Sequence, residues 1–541
     1  MKRLTVLAAS VALTASLSMA QTPDTTPPSG HMADFEAFRQ GIFNDFNNFR
    51  QTILQHYADF LEGTWHEYEP MMPLERDMAP KPVRVPDVSQ EIPIVNPIVL
   101  PSPKPLPVFV PKATPVPDDV AETPISFKLR PDSASPLVGK RPELPVPTPV
   151  VAPDKPEYVQ VPVVPVAPEP EPTEGKELVN FYGMDIYVPQ VDFNITEKLS
   201  TVADFAWHWK HLDKQDAATK VLEALKPKIK ELGLNDYLTF EFLSAYMDSK
   251  FPSAAISPKL SAVHYLLANM GFDARIAVAT KIGEPIILMP THQRIYGATD
   301  LVINETNYYV LGNRFANIAG SPLATCDLPK VASTSGKKVD MLINGLNFPR
   351  KDRPFEVAYD NMRISGSLNE NLMPVVYRYP QMEMNAYAQS VLDANLRDDL
   401  TSQIKTQLED KENLRAANEL LTFVQEGFKY ATDGEFHGFE KPYFLEENLF
   451  YPKNDCEDRA IFYTYFLWNS LGIDNQLIQF PGHESASISV PDANISGTSY
   501  VNEGKRYYIS DPTYVGSTTG QCMRKYQTTA PQIDYSYPNA K

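Results

Sequence analysis

Proline is the residue that most limits what this chain can build. More than half of its 50 prolines fall between Glu69 and Glu174. They sit in runs such as Leu100-Pro101-Ser102-Pro103-Lys104-Pro105-Leu106-Pro107 and Pro162-Val163-Val164-Pro165. Proline lacks the backbone N–H and fixes φ, so no regular core forms across such runs. Residues 70–173 therefore read as an extended, polyproline-II-like linker. The interleaved Val and Ile exceed what a spacer needs, and they suit edge strands laid along a domain surface. A Pro-rich recognition ligand is the other reading of the same composition.

The segments before the linker are of another kind. Residues 1–20 have the pattern of a signal peptide: Lys2 and Arg3, an apolar Leu4–Leu17, then Ser18-Met19-Ala20. The mature protein is therefore expected to be exported, to a periplasm or the extracellular space. No later stretch reads as a membrane span. A net charge of −18 argues against nucleic acid and anionic membrane surfaces as partners. Residues 33–69 read as one amphipathic aromatic helix. Phe35, Phe38, Ile42, Phe46, Phe49, Ile53, Tyr57 and Phe60 recur every three or four positions. A lone helix cannot bury such a stripe, so it packs on the rest of the chain or docks a protein partner.

Globular sequence resumes near Lys176. Helical patterns over 201–250 and 258–270 precede strand-like runs at Ala274–Thr280, Pro285–Met289, Asp300–Ile303 and Tyr308–Leu311. His208 and His211 stand three apart on one predicted helix, but no third ligand accompanies them, so they read as packing or surface residues. Residues 331–395 form a β-rich connecting region, with Pro374–Tyr379 among its expected strands. Helices are expected again over Tyr387–Leu408 and Glu412–Phe428. The fold class is α+β.

The C-terminal part, 396–541, carries the chemistry. Cys456 precedes an apolar run, Ala460–Trp468, that reads as a buried helix capped by Asn454 or Asp455. A cysteine at a helix N-terminus meets exposed N–H groups that favour a thiolate. Gly482-His483 opens an alternating strand, Ser485–Val490. Asp511 closes another strand, Arg506–Ser510, just before Pro512. Nucleophile, base and orienting carboxylate are the parts of a catalytic triad. Tyr443, Phe444 and Tyr451 lead into the cysteine, and they either line a substrate cleft or pack the loop.

Cysteine at a helix start, Gly-His opening a strand and Asp-Pro-Thr closing the next resemble the transglutaminase-like family of papain-type cysteine enzymes. The resemblance covers roughly 396–525. It implies Cys456 as nucleophile, His483 as base and Asp511 as the carboxylate that orients it. The Cys456 backbone N–H would be one oxyanion donor and the Asn454 side chain a candidate second. It implies no metal and no cofactor, and a peptide or protein as substrate. Residues 174–330 read as a degenerate copy of the same domain. Leu266–Asp273 parallels Phe466–Asp474, and Tyr308–Gly312 parallels Tyr507–Asp511. Counting back from Gly271 puts Ala255 at the nucleophile position. Gly312 falls at the aspartate position, and His292 lies in a loop. Cys326 and Cys522 fall at similar distances beyond and are a speculative pair.

Two functions follow. The first is an exported cysteine-dependent amide-bond hydrolase or acyltransferase. The alternative is a non-catalytic binding or scaffold protein that keeps the fold.

Overall fold

Two apolar helices of equal length organise the fold. A computed structural model describes residues 30–76, 82, 85–91, 97–106, 127–130, 136–138, 143–145, 174–314, 316–326 and 336–538. The signal-peptide reading of 1–20 and most of the 70–173 linker lie outside them. The helices are Ile256–Asn269 and Cys456–Asn469, 14 residues each. Both are buried almost throughout, as their near-continuous apolar surfaces require.

Each helix packs on an antiparallel sheet. The first sheet contains β1 (Trp65–Tyr68), β2 (Arg275–Ala279), β3 (Glu284–Met289), β4 (Asp300–Ile303), β5 (Thr306–Gly312) and β6 (Leu323–Cys326), in the order β1-β6-β2-β3-β5-β4. The second contains β7 (Asp474–Phe480), β8 (His483–Ser489), β9 (Thr498–Asn502), β10 (Lys505–Ile509) and β11 (Gln532–Tyr537), in the order β9-β10-β8-β7-β11. The chain visits the two sheets in the same sequence. A helix leads into a hairpin, a second hairpin pairs on one side, and a last strand pairs on the other. The architecture is mixed α+β with antiparallel curled sheets.

Register aligns the two halves more closely than sequence does. The β4–β5 hairpin closes at Ile303↔Thr306, and the β9–β10 hairpin at Asn502↔Lys505. Counting from these turns sets Tyr308 against Tyr507 and Gly312 against Asp511. An added Cβ at Gly312 would lie 2.6 Å from Ile287 Cβ, so this position has no room for a carboxylate. The helices align by both ends, which sets Ile256, not Ala255, against Cys456. Ala255 is the N-cap. The one-residue slack between Gly271 and Gly472 falls after the helix, where a loop absorbs it.

Other boundaries also move. The aromatic helix runs Gly30–Phe60 and not to residue 69. It ends before Gly63, and Trp65–Tyr68 instead becomes the edge strand β1, paired with β6. Phe35, Phe38 and Phe49 on this helix are exposed. The expected strand Pro374–Tyr379 is a short buried helix, Met373–Val376, because proline fits the first turn of a helix. Tyr387–Leu408 is two helices, Met384–Gln389 and Ala394–Leu408. Asp393 caps the second through Leu396 N at 3.1 Å. The connecting region supplies a hairpin, Asp352–Tyr359 with Met362–Asn369. Gln403 and Gln407 clamp its backbone at Ser365 and Arg363.

The described parts of the Pro-rich region lie on the domain surface. Met71 N donates to Asp300 O at 2.8 Å, and Lys104 N to Pro531 O at 3.0 Å. Ile98–Val99 adds a parallel strand beside β9. Leu137 N and Val138 N donate to the Asp248 carboxylate. No described helix is long and apolar enough to cross a membrane.

Two buried histidines on the first half make its stability pH-dependent. His208 Nδ1 bonds Ser261 Oγ at 3.0 Å, and His264 Nε2 bonds Ala274 O at 3.1 Å. Burial brings both down from 6.5 to about 3, with His211 adding to the effect at His208. A folded pKa below the unfolded one means the unfolded chain takes the proton first. Stability is therefore full above pH 6.5 and falls as pH drops toward 3. By pH 5 each ring costs about 2 kcal/mol relative to neutral pH. Urea unfolding at the two pH values should show this loss, and His264→Gln should remove about half of it.

Candidate functional site

The Cys456 helix begins inside the protein, so its unsatisfied N–H groups need partners there. Asp455 is the N-cap and forms a capping box with Asp458; Asp455 N donates to Asp458 Oδ2 at 3.0 Å. Asp458 Oδ1 also accepts from Tyr443 N at 2.8 Å, tying down the loop that leads in. Asp455 and Asp458 are thus structural anchors.

Arg459 continues the network. Its Nε donates to Asn454 Oδ1 at 2.9 Å, and its Nη1 and Nη2 reach Gln425 O and Phe428 O. Burial pulls this guanidinium down to about 10, against the pull of Tyr430, Asp455 and Asp458. The other end of the Asn454 side chain donates to Asn448 Oδ1 at 2.7 Å. With its oxygen and one N–H engaged, Asn454 is held in the network that caps the helix.

His483 opens β8 opposite Phe480. Its Nε2 bonds Asp511 Oδ2 at 2.8 Å, and its ring stacks on Tyr526 at 5.4 Å and 4°. The Tyr526 phenol is pushed up by burial first and then by Cys456, Asp511 and Cys522. Cys456 and His483 thus both act on Tyr526, the one through charge and the other through ring contact. The Cys456 helix packs on β8 itself. Among the described residues, His483 Nδ1 is buried and accepts or donates no hydrogen bond.

The sulfur is turned elsewhere. Cys456 is 1% exposed, and its Sγ donates to Glu457 Oε2 at 3.1 Å. That bond needs the thiol proton. Glu457, on the same helix turn, thus holds the thiol proton, and His483 Nδ1 has no hydrogen-bond partner in this conformation.

Asp511 is held from three directions. Its Oδ1 accepts from Thr513 N at 2.9 Å, its Oδ2 takes His483, and its carbonyl accepts from Gln425 Nε2 at 3.0 Å. The same Gln425 amide reaches Tyr514 O and Ser517 O, and its Oε1 accepts from Gly516 N. One buried glutamine thus folds the whole 511–517 loop. Sequence reading missed it, although a polar residue directly after Phe423-Val424 on a buried helix face was a signal. Tyr526 gave no signal at all.

Tyr443, Phe444 and Tyr451 are all buried. The Tyr443 hydroxyl meets His437 Nε2 and Lys453 O, Tyr451 stacks among the same rings, and Phe444 packs on Tyr379 and Tyr387. In this conformation all three pack within the loop. Cys326 and Cys522 are each buried and not joined in a disulfide. They occupy different places: Cys326 ends β6, whereas Cys522 precedes β11, so the suggested pairing is not found.

Carboxylates of Asp433, Glu440 and Glu457 approach within 4.8 Å of one another, as do those of Asp433, Asp455 and Asp458. Oxygen donors of this type suit a hard cation. Here they already accept from the protein: Asp433 from Lys441 N, Asp458 from two backbone amides, and Glu457 from Cys456.

No protein-family model matches this chain, and no curated protein matches it in sequence.

Gln425→Ala should cost about 3 kcal/mol, since several buried groups lose their partner at once. Hydrogen exchange at the Gly516 amide should accelerate in step. Unchanged protection would show that the loop holds its shape without the glutamine.

Proposed function

We propose that this chain is an exported, cysteine-dependent hydrolase of amide bonds in peptides or proteins, with a transglutaminase-like domain at 396–541. The observation that carries this reading is the buried His483–Asp511 pair. It leaves Nδ1 as the one ring nitrogen without a partner, on the strand against which the Cys456 helix packs.

In this reading, Cys456 Sγ turns from Glu457 to His483 and gives its proton to Nδ1. The sulfur attacks the substrate carbonyl, and Asp511 stabilises the imidazolium through Nε2–H. The proton passes from Nδ1 to the departing amine as the C–N bond breaks, leaving a thioester. Water then gives a proton to Nδ1, adds to the thioester, and releases the carboxylic acid with the thiol restored. An amine in place of water would give transfer. The start of the Cys456 helix aims backbone N–H dipoles at the developing oxyanion. The first half has Ile256 and Gly312 at the matching positions, so it serves as an inert copy that braces the active one. Export rests on the sequence of residues 1–20.

A binding protein that keeps the fold is the second reading, favoured by the burial of Cys456 and its bond to Glu457. Cleavage of fluorescein-labelled casein decides between them. Cys456→Ala should lower the rate by at least about 10³-fold while the circular dichroism spectrum stays unchanged. Equal cleavage by the variant would place the chemistry elsewhere, and no cleavage by either form would favour the binding protein.

A further inference from the structure

One arginine from the Pro-rich region reaches the reactive centre. The described residues around it, 71–76, 82 and 85–91, are tied to the domain surface. Met71 N donates to Asp300 O, and Leu74 O accepts from Gly297 N at 2.9 Å. Pro82 O accepts from Tyr430 OH at 2.7 Å. Pro86 and Val88 exchange two backbone bonds with Val515, inside the loop that carries Asp511. Glu91 accepts from Tyr514 OH and Arg524 N.

Between these anchors Arg76 turns inward, its side chain 9% exposed. Nη1 lies 3.5 Å from Glu457 Oε1 and 3.8 Å from Glu440 Oε1. The other oxygen of Glu457 takes the Cys456 thiol at 3.1 Å. One carboxylate therefore joins the guanidinium to the sulfur. Glu484, next to His483, and Asp534 on β11 complete the acidic wall. Burial works against the Arg76 charge, but Glu457, Glu484, Glu440 and Asp534 outweigh it and hold the guanidinium protonated. Burial and the neighbouring Asp534 push Glu484 well up.

Two features mark this as a site for an exchangeable cation and not a finished structural ion pair. Glu484 is buried and its side-chain partner is a second carboxyl, Asp534, while Arg76 Nη1 is buried without a hydrogen-bond partner among the described residues. A buried ion pair that fits closely is hydrogen-bonded on both sides. Here the guanidinium is held by charge alone, on a segment anchored mainly through its backbone.

We infer that Glu440, Glu457, Glu484 and Asp534 form a specificity pocket for a cationic side chain of the substrate, and that Arg76 occupies it in cis as a built-in pseudosubstrate. A substrate arginine seated there would bring its neighbouring amide bond beside Cys456. It would also engage Glu457, the group that otherwise holds the thiol. The inference rests on the proposed nucleophile only for what the pocket serves; its cation selectivity is measurable without the cysteine.

The test uses the full chain with Cys456→Ala, with and without Arg76→Gln. Calorimetry compares N-acetyl-arginine methylamide with the citrulline analogue, its uncharged counterpart of the same shape. With Arg76→Gln the arginine compound should bind about ten-fold more tightly than the citrulline one. It should also bind about ten-fold more tightly than to the chain that keeps Arg76. Adding Glu484→Gln and Asp534→Asn should remove the preference. A folded Arg76→Gln chain that binds neither compound, or both equally, would overturn the pocket, whatever the casein assay shows. Should Arg76→Gln not fold, Met71→Pro removes one strap hydrogen bond at the surface and should raise arginine affinity in the same way. No gain there would also overturn the inference.

Discussion

The start of the Cys456 helix is buried, and the rest of the site depends on that constraint. A helix end away from water must find protein partners for its N–H groups. Every residue from Asn454 to Arg459 is accordingly buried, and the polar ones are spent on one another and on three flanking segments. Asp458 holds the Tyr443 loop, Arg459 holds the end of the Gln425 helix, and Gln425 holds the loop of Asp511. Asp511 holds His483. Position thus passes from the helix cap to the imidazole through a connected chain of hydrogen bonds. Such buried networks are rigid when complete and costly when broken.

The same chain explains why the cysteine sits among carboxylates. A thiol nucleophile gains nothing from acidic neighbours as such. Asp455 and Asp458 serve backbone amides of the helix start and the Tyr443 loop. Glu457 is the exception, since it faces both Cys456 and Arg76. It is the one group through which occupancy of the acidic pocket reaches the thiol.

Much of this was legible in the sequence. Strand alternation around His483 and before Asp511 put both at strand ends, and the structure joins them. The apolar run after Cys456 gave the helix and its first residue. The two halves were recognisable by their repeated glycine and tyrosine signals, and the strand order of the two sheets agrees. What sequence could not supply was side-chain commitment. The sequence does not say that Asn454 meets Arg459 and Asn448, and of the two readings of Tyr443, Phe444 and Tyr451 the ring contacts with His437, Tyr379 and one another show the packing one. Ala255 was off by one residue because glycine spacing does not fix a helix start. Arg76 was invisible, since nothing within a proline-rich run says which side chain turns inward.

The central claim is that Cys456 and His483 act as a coupled pair despite the present bond from Sγ to Glu457. The pH dependence of Cys456 alkylation by iodoacetamide, followed by mass spectrometry, tests it most directly. A thiol paired with imidazole should react across neutral pH with two inflections, and His483→Gln should reduce this to the single rise of an ordinary thiol near about pH 8.5. A single rise near that pH in the unmodified chain, unchanged by His483→Gln, would contradict the account.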